Sequence, residues 1–148
     1  MSEVDDDGNP TAPKTLAVSV SAVFPSAEIF GIKLVNGKPT KALVSFVNEE
    51  PEPVMVNFIG GSLWTLDFDP QGSHIVRNLT TTRYNVEIPA GEKESLAYNF
   101  ATELHPQELR LNLATILSDS KGSFYTVPAF NETVSIVEPD TSIFDPQM

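Results

Sequence analysis

Cysteine is missing from all 148 residues of the chain, which removes disulfides, thiolate metal sites and cysteine nucleophiles together. The compartment stays open, because a chain of this length can bury a core without covalent staples on either side of a membrane. Positive charge is scarce as well: 9 Lys and Arg against 20 Asp and Glu give a net charge of −11. Such a chain offers no overall basic face to nucleic acid or to an anionic membrane surface. No run of about eighteen apolar residues occurs, so no segment reads as a membrane-spanning helix. The first residues, Met1 to Gly8, have neither the basic start nor the apolar stretch of a signal peptide. Helical periodicity is absent too. The stretch "ATELHPQEL" (101–109) would close one turn at most, limited by Pro106.

What the chain does have is alternation. Residues 1–14 are acidic and then rich in Pro, Thr and Asn, too polar to offset the entropy of ordering, and read as a tail. From there, "TLAVSVSAVF" (15–24) sets Leu16, Val18, Val20 and Ala22 against Thr15, Ala17, Ser19 and Ser21, a period of two with one buried face. "KALVSFVN" (41–48) puts Ala42, Val44, Phe46 and Asn48 on one side, with apolar residues on the other side too, as in a central strand. Further strands are expected at 54–60, 62–68, 74–79, 83–88, 95–101, 108–117 and 123–137, separated by Pro- and Gly-containing turns. Gly60-Gly61 is expected to break or bulge its strand, and Pro128 to mark a kink or a switch between sheets. Eight or nine short strands without a long helix predict an all-β, immunoglobulin-like antiparallel two-sheet sandwich over residues 15–139. Phe46, Val56, Trp64, Leu66, Leu111, Leu113 and Val134 are expected in its core.

Chemistry-bearing constellations are few. Asp67 to Asn78 begins like a calcium loop, with acidic residues at its first and third positions and Gly72 at its sixth, but Gln71 and Asn78 stand where further ligands belong. Asp5 to Asp7 form a short acidic run that reads as a solvated tail. His74 and His105 stand alone, and a zinc site needs three or four converging ligands. No nucleophile elbow of the G-x-S-x-G type is present. Neither a catalytic residue, nor a metal site, nor a cofactor is expected. Two features point outward instead. Asn78-Leu79-Thr80 and Asn131-Glu132-Thr133 are N-glycosylation sequons, usable only in a secretory compartment. Pro51, Pro53, Asp119 and Lys121 fall in turns at the ends of a sandwich and are nominated as contact-surface residues.

Phe24-Pro25, the Asn78 sequon, the turn "PAGE" (89–92) leading into an aromatic strand, and "FNET" running into "VSIVE" together give the chain a family likeness. Over about residues 24 to 144 it resembles the luminal domain of the translocon-associated protein alpha subunit, also called signal sequence receptor alpha, and in particular the fungal branch. The resemblance implies a non-catalytic accessory of the Sec61 channel in the endoplasmic reticulum membrane, with this domain in the lumen. Implied partners are the luminal face of that channel, the other translocon-associated subunits and nascent polypeptide chains; contact with the membrane would come only through an anchor helix outside this chain. Residues 140–148 would be the juxtamembrane linker before that anchor, and Met1 would replace a cleaved signal. Asn78 and Asn131 match the family's two glycan positions. The animal members' long acidic segment, associated with calcium, is only "SEVDDDG" here, so no calcium site carries over. Two alternatives stay open on the residues alone: a secreted or cell-surface adhesion-type sandwich, and a small hydrolase, which would need a pocket of converging titratable groups.

Overall fold

The computed structural model describes residues 15–26, 31–66 and 72–139. The expected tail, the expected linker and the acidic start of the calcium-like loop lie outside these residues. Nine strands run through the described residues: β1 (Val18–Val23), β2 (Lys33–Val35), β3 (Thr40–Asn48), β4 (Val54–Trp64), β5 (Ile75–Asn78), β6 (Thr82–Ile88), β7 (Lys93–Phe100), β8 (Gln107–Ser118) and β9 (Phe124–Val137). They form two sheets, β1-β3-β7 and β2-β9-β8-β4-β5, with β6 also paired to β4. No helix forms among the described residues, and the expected all-β, immunoglobulin-like sandwich is borne out. One pairing departs from the antiparallel expectation: the three-residue β2, absent from the sequence reading, runs parallel to β9 through Lys33↔Ser135 and Val35↔Val137.

The alternation of β1 and β3 builds one inner face. Val18 is buried while Ser19 and Ser21 are exposed, and Ala42, Val44, Phe46 and Asn48 are all sealed in β3. Tyr98 and Phe100 of β7 complete this layer, stacked with ring centroids 5.5 Å apart. The facing layer is aliphatic: Val56, Ile59, Leu63, Leu111, Leu113, Leu117 and Val134 are at most 1% exposed. Removing one such side chain to Ala costs about 2–5 kcal/mol, the spread reflecting how far the site can collapse. Phe46, Val56, Leu111, Leu113 and Val134 thus lie in the core as expected.

Trp64 and Leu66 do not. Both are only half-buried, and Leu63 fills the core in their place. The cause is a bulge. Val56 pairs with Leu117 but Phe58 pairs with Ile116, so Asn57 is an extra residue in β4. One extra residue inverts the alternation beyond it. Even-numbered Val54 and Val56 face the core before the bulge; odd-numbered Ile59 and Leu63 do so after it. Trp64 is left on the outer face, where its indole Nε1 donates to Ser62 Oγ at 2.7 Å.

Gly60-Gly61 does not break the strand; β4 runs through both. The pair lies where the neighbouring edge crosses from β5 to β6. A Cβ on Gly60 would come within 2.8 Å of Thr81 Oγ1, and one on Gly61 within 2.8 Å of the Asn112 carbonyl and 2.7 Å of Leu113. These glycines permit close approach on both sides of the sheet. At Pro128, β9 stays in one sheet; Leu113 pairs with Phe130 and Ala114 with Pro128, so a local bulge at Ala129 takes the place of a sheet switch.

Candidate functional site

The end of the sandwich formed by the β3–β4 loop, the β6–β7 turn and the β8–β9 turn is organised by Asn48. Its buried Nδ2 donates to the carbonyls of Glu52 (3.0 Å), Ile88 (3.0 Å) and Pro89 (3.2 Å), and its Oδ1 accepts from Glu50 N–H at 2.9 Å. Backbone bonds Asn48 N to Glu92 O and Gly91 N to Asn48 O pin the same turn. A buried amide that satisfies several loop carbonyls fixes loops that would otherwise carry unpaired polar groups.

Against this base the β8–β9 turn is held by Asp119. Its Oδ1 accepts from Lys121 N–H and Ser123 N–H, each at 2.9 Å, and Oδ2 accepts from Tyr125 Oη at 2.9 Å. Gly122, at φ +83°, supplies the left-handed residue that closes the turn. Ser120 Oγ then donates to Glu52 Oε1, joining the two loops. All four nominated contact residues, Pro51, Pro53, Asp119 and Lys121, therefore meet around one cleft of about 190 Å³. Asp119 acts there as a turn former, while Pro51, Pro53 and Lys121 are exposed.

The two sequons, distant in sequence, share one row of the large sheet. Asn78 pairs with Ser62, Ser62 with Asn112, and Asn112 with Asn131. Residues paired directly across strands point to the same side, and three strand spacings put the outer asparagines about 14 Å apart. That side is the outer face, since Leu63, Leu111 and Leu113 point inward from the same strands. Both asparagines are exposed. Arg110 Nη1 donates to Asn131 Oδ1 at 3.4 Å, engaging the amide oxygen and not the nitrogen. Behind Asn78, Leu79 is buried and its N–H donates to Gly61 O, while Thr80 O accepts from Tyr98 Oη. On the outer face of the small sheet the two middle rows, Ser21–Ser45–Ser95 and Val23–Leu43–Ala97, carry no charge, and Lys41 and Lys93 flank them.

Among the described residues no three of His, Asp and Glu could hold one metal ion, and His74 and His105 are both exposed. The clear electrostatic perturbation is at the tyrosines. Burial pushes the Tyr98 hydroxyl up to about 12, with neighbouring Tyr84 adding to the shift. Burial also raises Tyr84, partly offset by its hydrogen bond with Thr82. Both shifts keep the phenols neutral and structural, and Tyr84 Oη donates to Ala97 O across the sheets.

The sequence profile of the family "Translocon-associated protein (TRAP), alpha subunit" matches residues 25–148. Among curated proteins the chain is similar to Increased recombination centers protein 22 of Kluyveromyces lactis, 29% identical over 117 residues that make up 78% of this chain and 47% of the relative. The chain thus spans about half the length of that relative. Among solved structures it is similar to the sporulation control protein Spo0M of Bacillus subtilis (TM-score 0.53, 12% identity, 81% of this chain and 49% of that one). It is also similar to the ASH/PapD-like domain 7 of human CEP192 (TM-score 0.50, 11% identity, 88% and 94% covered). At these identities the structural likenesses speak to the fold alone.

Proposed function

The chain belongs to the family of the translocon-associated protein alpha subunit, and from that premise we propose that it is the luminal part of a non-catalytic accessory subunit at the Sec61 channel. In the endoplasmic reticulum membrane it supports the translocation and insertion of nascent chains, beside other translocon-associated subunits. The observation that carries the luminal assignment is the shared outer row of Asn78 and Asn131. A transferred glycan is bulky and hydrophilic, and both positions offer it solvent. Two glycans on that row would screen the adjoining part of the large sheet and leave the small sheet, with its uncharged middle rows, and the two loop ends open to protein partners. Binding, not turnover, is the mechanism: rigid loops on a rigid scaffold present fixed surfaces. If an anchor tethers the domain beside its target, high effective concentration lets a small interface stay occupied, so the isolated domain is expected to bind the channel weakly.

The test is glycosidase treatment of the protein made from its native gene in a eukaryotic secretory host. Two mass steps should be lost, with Asn78→Gln and Asn131→Gln each removing one. An unglycosylated species from that host would contradict the luminal assignment.

A further inference from the structure

The charge of this chain is unevenly spread. From Gly31 to Asn48 there is no Asp or Glu, yet Lys33, Lys38 and Lys41 lie in that stretch, three of the chain's 9 cations. The fold gathers them. All three line one cleft of about 310 Å³ between the end of β1, the edge strand β2 and the start of β3. Phe24, Ile32 and Val35 give the same cleft an apolar lining. It lies at the opposite end of the sandwich from Pro51 and Asp119, because β3 starts here and finishes there.

The backbone that carries the lysines is pinned at the β2–β3 turn. Asn36, 5% exposed, sits in the turn between β2 and β3. Its Nδ2 donates to Leu104 O at 2.5 Å and to Glu138 Oε1 at 3.5 Å, and its Oδ1 accepts from Leu104 N–H at 3.0 Å and Thr102 Oγ1 at 3.3 Å. Gly37 N–H donates to Thr102 O and Lys38 N–H to Val35 O. The floor is held too, since Phe24 packs edge-on against Phe130 with ring centroids 4.9 Å apart.

An edge of backbone also faces the cleft. Ser135 N–H donates to Ile32 O and Asn36 N–H to Val137 O, so the even-numbered residues of this stretch address β9. By alternation, the N–H and C=O of Lys33 point away from β9, on the side of β2 where no strand pairs among the described residues. An extended peptide laid there would find ladder partners in the backbone, apolar seats for alternate side chains, and ammonium groups for the rest.

We propose that this cleft is a docking site for an extended polypeptide segment in which acidic side chains alternate with apolar ones. Charge complementarity selects the acidic residues, since three lysines line this one cleft while the chain as a whole carries a net charge of −11. The concave shape and the strand edge favour a peptide over a lipid surface, which is flat and has no backbone groups to pair. The site stands on its own geometry and does not depend on the translocon reading.

The experiment is 15N–1H shift mapping on the purified chain, titrated with N-acetylated, C-amidated peptide (Glu-Val)4, with (Lys-Val)4 as control. The acidic peptide should move the amides of residues 31–41, weaken as salt rises, and bind at least about tenfold more tightly than the basic one. Exposed ion pairs each contribute modestly, so Lys33→Ala, Lys38→Ala and Lys41→Ala combined should lower affinity about tenfold or more. The combined Arg83→Ala and Lys93→Ala variant should leave affinity unchanged. All five side chains are exposed, and a dispersed spectrum shows that each variant folds. Equal binding of the two peptides, shifts elsewhere, or no loss in the triple variant would overturn the proposal. So would lysine-dependent cosedimentation with phosphatidylcholine vesicles containing phosphatidylserine in the absence of peptide binding, which would assign the cleft to anionic headgroups.

Discussion

At each end of the sandwich a buried asparagine does the same work, yet the two ends are finished differently. Asn48 reaches three carbonyls and one N–H of the β3–β4 loop and the β6–β7 turn, and is 0% exposed. Asn36 grips both backbone groups of Leu104 and the hydroxyl of Thr102, at 5% exposure. Around Asn48 gather Glu49, Glu50, Glu52, Glu92 and Asp119, with Lys121; around Asn36 stand Lys33, Lys38 and Lys41, with Glu103 and Glu138 outside the lysine cleft's lining. The buried amide sets where a loop goes, and the exposed side chains set what it can meet. Anchoring and recognition are therefore separable in this fold, and substitutions can pull them apart.

The largest effect is expected from Asn48→Ala. It leaves several loop carbonyls and an N–H without their partner in a sealed site, which should cost about 3 kcal/mol in urea unfolding. Asn36→Ala should cost less, about 2 kcal/mol, since its site is nearer to water, which can take over some of the lost bonds. The two sites lie at opposite ends, so the double variant should be additive within about 0.5 kcal/mol. A larger deviation would mean that the ends are coupled through the core.

The core between them can be probed by pH. The unfolded Tyr98 hydroxyl titrates near 10 and the folded one near 12. The folded state thus holds its proton longer, and its stabilisation is intact below pH 10 and lost progressively between pH 10 and 12. Alkaline unfolding followed by circular dichroism should show this limb, and Tyr98→Phe should reduce it. The smallest effect belongs to the exposed link between the two acidic-end loops: Ser120→Ala should change stability by no more than about 0.5 kcal/mol in the same unfolding assay.

The alternation of β3 was legible down to the inward side of Asn48, because no bulge interrupts it and both neighbours pair in simple register. The turns were legible as well, since Pro51, Pro53, Asp119 and Gly122 are residues that turns demand. That the two nominated loops share a cleft was not, because it follows from Met55 pairing with Ser118, a register fixed by the whole of β4 and β8. The inversion in β4 was equally hidden. Asn57 looks like any other strand residue, and only the pairing of β4 with β8 shows it as extra, so Trp64 was expected inside. The common row of Asn78 and Asn131 depends on three successive registers, and the three residues of β2 are too few to show a period. The lysine cleft did leave a trace in the sequence, the acid-free stretch from Gly31 to Asn48, which the overall net charge concealed.

Site-specific photocrosslinking in microsomes, using the protein expressed from its native gene, addresses the central claim most directly. A photoreactive residue would be placed at Ser45 on the small sheet, at Lys121 on the acidic end, and at Asn112 between the two sequons. The account predicts adducts with the Sec61 channel or its associated subunits from Ser45 or Lys121, and none from Asn112. Adducts from Asn112 alone, or no translocon adduct from any of the three, would contradict it.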